Sequence, residues 1–139
     1  MKGVWPNMSS IVVDAKPRVR ITLKKGLYSL GWESGSGKSY MYKILATLQN
    51  DSDNSVKFCC IDAWQDSVST IKEKLVQNYD LILVDRWDVR PSEEVLELLQ
   101  QKKANSVILV DCKDLRLLLP NVVDVVEIEY AKEEIYVHD

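Results

Sequence analysis

The residues best suited to chemistry occupy one short stretch and the ends of three apolar runs. Trp32-Glu33-Ser34-Gly35-Ser36-Gly37-Lys38-Ser39 sets small residues directly ahead of a segment whose apolar positions recur at helical spacing. Backbone N–H groups of residues 34–39 and the positive end of a helix can wrap an anionic phosphate, and glycines keep side chains out of its approach. Asp62, Asp85 and Asp111 each stand just after an apolar run. If those runs are strands of one parallel sheet, all three carboxylates emerge at its carboxyl edge, where ligands bind in open α/β folds. Trp32, Trp64 and Trp87 also follow such runs. Their simpler reading is a roof packed over loops and helix tops; the other is a rim that stacks a nucleobase or anchors a partner.

The elements that must position these residues follow from periodicity. Ile11–Val13 and Arg18–Leu23 read as half-exposed strands around a turn at Ala15-Lys16-Pro17, with Val19, Ile21 and Leu23 on one face. Gly26–Gly31 is a strand running into the Gly-rich loop, and Met41, Ile44, Leu45 and Leu48 mark the helix after it. The alternation then repeats: a strand over Val56–Ile61, a helix carrying Val68, Ile71 and Leu75, a strand over Leu81–Val84, a helix started by Pro91-Ser92-Glu93-Glu94, a strand over Val107–Val110 and a short helix over Leu115–Leu119. Strands apolar on both faces that alternate with helices imply an α/β fold of three layers, a doubly wound and mainly parallel sheet covered on both sides. Val126, Ile128 and Tyr130 alternate with acids before Ile135-Tyr136-Val137. That change of style predicts antiparallel edge strands or a hairpin at the sheet's margin. The absence of repeats and low-complexity linkers makes residues 1–139 a single expected domain.

The strand, the Gly-Lys-Ser loop and the helix together resemble the P-loop NTPases, and the order of elements resembles the RecA/AAA group over most of the chain. The resemblance implies an ATP site with Mg²⁺: Ser34, Gly35, Ser36 and Gly37 cradle the phosphates, Lys38 reaches the β and γ phosphates, and Ser39 places its hydroxyl on the metal. Tyr79–Asp85 resembles the Walker B strand, so Asp85 is the implied second holder of Mg²⁺. In RecA-type members an acid after the next strand polarises the attacking water, a place Asp62 matches with a shorter side chain; Asp111 stands where a polar sensor of the γ phosphate is often found. Both also read as solvated loop residues. Two departures are plain: Trp32 occupies the position of the first glycine, and Arg86 follows Asp85 where the ABC and AAA types carry an acid. In the RecA/AAA group another strand lies between the phosphate-loop and Walker B strands, whereas in the kinase and GTPase group the two are neighbours.

Composition narrows the function classes. With 46% hydrophobic and 28% charged residues the chain can build a core, and its apolar runs fall far short of the ~20 residues of a membrane span. The first residues lack the apolar core of a signal peptide, which makes the cytoplasm the expected compartment. Cys59, Cys60 and Cys112 are odd in number, have no metal-ligand spacing, and read as buried reduced thiols. A net charge of −3 supplies no general attraction to nucleic acid, so a nucleic-acid partner is possible only by local recognition. Residues 1–25 carry six cations against Asp14, and residues 120–139 carry six acids against Lys132, a pairing suited to mutual neutralisation. The leading expectation is an ATP-binding protein that hydrolyses ATP with Mg²⁺ and drives or regulates a partner protein or a nucleic-acid process, with a protein partner or a homo-oligomer expected. The alternative is a nucleotide-dependent binding module with little or no hydrolysis; a small P-loop kinase is weaker, for want of a basic lid. Arg86, Arg90 and Arg116 read as surface salt-bridge partners before they read as phosphate ligands.

Overall fold

The computed structural model describes residues 8–30, 38–48, 56–112, 114–118, 124–131 and 133–138. Two sheets organise them. The first contains β3 (Gly26–Ser29), β4 (Phe58–Asp62), β5 (Leu81–Asp85), β6 (Val107–Val110) and the two-residue β7 (Asp124–Val125). Its order is β4-β5-β6-β3-β7, and every neighbouring pair is parallel. β6 therefore separates β3 from β5. The helices α1 (Lys38–Leu48), α2 (Val68–Lys74) and α3 (Glu93–Lys102) supply the crossovers that parallel pairing requires.

The parallel strands are apolar on both faces, and each face has its own core. Tyr28, Phe58, Cys60, Leu81, Leu83, Val107 and Leu109 pack with Met41 and Leu45 of α1. Leu27, Cys59, Ile61, Ile82, Val84, Ile108 and Val110 pack with Ile71 and Leu75 of the α2 segment and with Val95 and Leu99 of α3. Successive residues of β5 thus enter opposite cores, as the two-residue period of a strand demands. Local signals start the helices. Ser67 accepts a hydrogen bond from Thr70 N, and Ser92 accepts one from Val95 N, with Glu93 and Glu94 in the first turn of α3.

The second sheet corrects an expectation. β1 (Met8–Val13), β2 (Arg18–Lys24), β8 (Glu127–Tyr130) and β9 (Glu134–His138) do not extend the margin of the parallel sheet; they form a separate mixed sheet in the order β1-β2-β9-β8. The two antiparallel hairpins exist, joined by parallel pairing of β2 with β9. Ile11, Val13, Val19, Ile21, Leu23, Ile135 and Val137 face the same core as α1. The physical reason is their alternation. A strand with one apolar face has to stack that face on a core, whereas a strand added beside β4 or β7 would be covered on both sides. The opposite charges of the chain's two ends do meet: Arg20 Nη2 lies 3.1 Å from Glu134 Oε1, and Arg18 Nη1 lies 4.0 Å from Glu134 Oε2. The expected helix over Leu115–Leu119 is a 3₁₀ turn, Leu115–Leu117. Among the described residues no helix is long and apolar enough to cross a membrane.

Candidate functional site

The carboxyl edge of the parallel sheet gathers the three aspartates. Asp62 and Asp85 are register partners at the ends of β4 and β5. Asp111 continues the β5–β6 ladder by donating its N–H to Val84 O at 2.8 Å, and its own carbonyl accepts from Trp87 N at 3.1 Å. β3 ends beside them, because Leu30 N donates to Val110 O at 2.9 Å. Beyond it, Ser34, Gly35, Ser36, Gly37 and Trp32 lie outside the described residues. Lys38 and Ser39 open α1.

Asp62 and Asp85 have distinct electrostatic settings. Burial raises the Asp85 carboxyl, and a side-chain hydrogen bond with Asp111 raises it further, to about 6. Arg86 opposes that rise only partly, with its Nε 3.7 Å from Asp85 Oδ2. Its guanidinium is committed to Asp62, with which it forms a hydrogen-bonded ion pair. Burial raises the Asp62 carboxyl too, but hydrogen bonds from Arg86, Gln65 N and Trp64 N outweigh it and hold the group below the ordinary carboxylate value. A carboxylate held ionised in this way is a weak proton acceptor, since a general base works best with a pKa near the working pH. Asp62 therefore ends β4 at the sheet's carboxyl edge as an ion-paired carboxylate.

Arg86 has an unusual backbone to match. Its φ of 56° and ψ of 41° put a long side chain in the left-handed region, which costs a non-glycine residue about 1–2 kcal/mol. The turn sends the guanidinium back over the sheet edge, where it also lies 4.7 Å from the centroid of the Trp64 ring. The Asp62 loop is fastened from below: Asp66 Oδ2 accepts from Asp62 N at 3.0 Å and from Lys74 Nζ at 2.9 Å, while Arg90 donates to Asp66 O at 2.7 Å. Tyr42 completes the surroundings. Burial, then the neighbouring Cys60, Asp62 and Asp85, push its phenol well above its ordinary value, so α1 presents a neutral hydroxyl to the acids.

Neither a scan against models of known protein families nor a comparison with curated proteins returns a match to the chain. The site's geometry therefore carries the functional reading.

The remaining candidates divide cleanly. Trp87 is buried in the core formed with α2 and α3, a roof and not a stacking platform, whereas Trp64 is half exposed beneath Arg86. Arg116 pairs with Asp114 at 2.8 Å on the surface. Cys59, Cys60 and Cys112 are buried free thiols; burial pushes Cys60 and Cys112 up to about 12, which leaves them protonated and unreactive. Among the described residues no three His, Cys, Asp or Glu side chains cluster to hold a metal ion by themselves. Tyr42 and Asp66 belong to the site but carry no sequence signal of it. Tyr42 reads as the polar flank of a helix, and Asp66 as a loop acid.

Proposed function

We propose that the chain binds ATP with Mg²⁺ at the carboxyl edge of the parallel sheet, as a P-loop nucleotide-binding domain of the RecA/AAA kind, and hydrolyses it slowly. One observation carries the reading: β6 lies between β3, which leads toward Lys38, and β5, which ends in Asp85. That spacing is the one expected of the RecA/AAA group and not of kinases and GTPases. Residues 34–39 would cradle the phosphates, with Lys38 neutralising them. The acids fit a hard divalent cation, since Asp85 and Asp111 share a hydrogen bond and crowd one another. Ser39 and Asp85 would hold the ion, and Mg²⁺ when bound would screen charge on the transferring phosphoryl group. Asp111 would face the γ phosphate, and Asp62 would orient water once released from Arg86.

The Asp62–Arg86 pair favours a second reading, a module that binds nucleotide and signals to a partner with little turnover. Both readings are separable by experiment. A fluorescent ATP analogue titrated with Mg²⁺ should bind the wild type and lose affinity at least tenfold with Lys38→Ala; equal affinity in the two proteins rejects the phosphate site. Phosphate release should fall with Asp85→Asn and Asp62→Asn. Turnover unaffected by either change removes the catalytic assignment and leaves the module.

A further inference from the structure

A cleft of about 630 Å³ opens beside the first turn of α1, lined by the β1–β2 turn from Asp14 to Arg18, by Tyr40 and by Glu133. Its volume falls in the range of small-molecule sites, roughly 300–1,000 Å³. Its two walls are tied together, since Arg18 N donates to Glu133 O at 2.9 Å. Among the described residues neither Asp14 nor Lys16 is engaged in an ion pair, so both charges are available. Tyr40 is exposed and stacks on Tyr130, with ring centroids 5.8 Å apart and planes 18° from parallel.

We infer that this cleft takes the nucleoside half of the nucleotide whose phosphates residues 34–39 hold. The inference rests on the proposed phosphate site and adds to it. Position argues for it first, because Tyr40 directly follows Ser39 and the cleft begins where the phosphate segment ends. Chemistry argues for it second. The stacked tyrosines offer an aromatic surface to a base, the carboxylates of Asp14 and Glu133 accept hydrogen bonds from ribose hydroxyls and an exocyclic amine, and Lys16 and Arg18 complement the inner phosphate. An inorganic polyphosphate would use none of the first two features.

That contrast supplies the test: calorimetric titration of the whole chain with Mg²⁺-ATP and, separately, with Mg²⁺-tripolyphosphate. The wild type should bind ATP more tightly than tripolyphosphate. Tyr40→Ala should weaken ATP binding on the order of tenfold, the scale of a lost base–aromatic stack, and Tyr40→Phe should restore it. Asp14→Ala combined with Glu133→Ala should likewise weaken ATP alone, and all three proteins should bind tripolyphosphate as the wild type does. ATP affinity unchanged in the cleft variants, while Lys38→Ala loses both ligands, overturns the cleft and leaves the phosphate site standing. Cleft variants that weaken both ligands alike also overturn it, because the lost contacts then serve phosphate or the fold. Failure of the wild type to bind either ligand overturns the phosphate site and the cleft with it.

Discussion

Asp62 and Asp85 are register partners with opposite titration behaviour, and the contrast is measurable without any ligand. Asp85 is raised from 3.8 to about 6, so the folded state holds its proton more tightly than the unfolded chain does. The stability this contributes is complete below about pH 4 and is lost as pH rises through about 6. Asp85→Asn should therefore raise the Tm at pH 7 relative to wild type and give no advantage at pH 3.5; a loss of Tm at pH 7 would contradict the crowding described between Asp85 and Asp111. Asp62 is lowered, so its contribution is present at neutral pH and lost as pH falls through its folded value. Arg86→Ala strips a largely buried carboxylate of its cation and should lower the Tm at pH 7, with the deficit closing as Asp62 protonates in acid. All three acids are legible in the sequence, because each ends an apolar run. The state of Asp62 is not. It depends on a left-handed turn at Arg86, which is not among the residue types that signal one, and on the pairing of β4 with β5 that brings the guanidinium across.

At the scale of elements, hydrophobic period does most of the specifying. β3 to β6 and all three helices fall where their apolar residues place them, because a strand buried on both faces and a helix with one stripe leave different spacings. What periodicity cannot convey is the identity of the layer covering an apolar face. The alternation of Val19, Ile21 and Leu23 says that one side of β2 is buried, and it is equally compatible with a sheet margin and with the second sheet that forms. β7 is only two residues long and leaves no periodic trace. Capping should have a measurable value here. Ser92→Ala removes the acceptor for Val95 N and should cost about 1 kcal/mol in urea denaturation, with the slope unchanged. No change in midpoint would show that water or Glu93 replaces the cap.

The whole molecule is closed by pairing between residues far apart in sequence. β2 lies between β1 and β9, and Ile135 and Val137 on β9 are fully buried in the core shared with α1. Removing residues 134–139 should therefore open an edge on β2 and expose Val19 and Ile21 to solvent. The expected outcome is a species that aggregates on size-exclusion chromatography and has lost its cooperative thermal transition; a monomer that still melts cooperatively would mean the mixed sheet is dispensable to the fold.

The same closure has a topological side. β1 begins opposite Lys24, and β9 runs parallel to β2 so that His138 lies opposite Thr22. Residues 8 and 138 therefore sit at one end of the mixed sheet, two strands apart, a gap of about 10–12 Å from strand spacing and rise. Three or four extended residues would span it. The fold is set by which strands neighbour which, so a covalent link across that gap would leave every strand pairing of the mixed sheet in place.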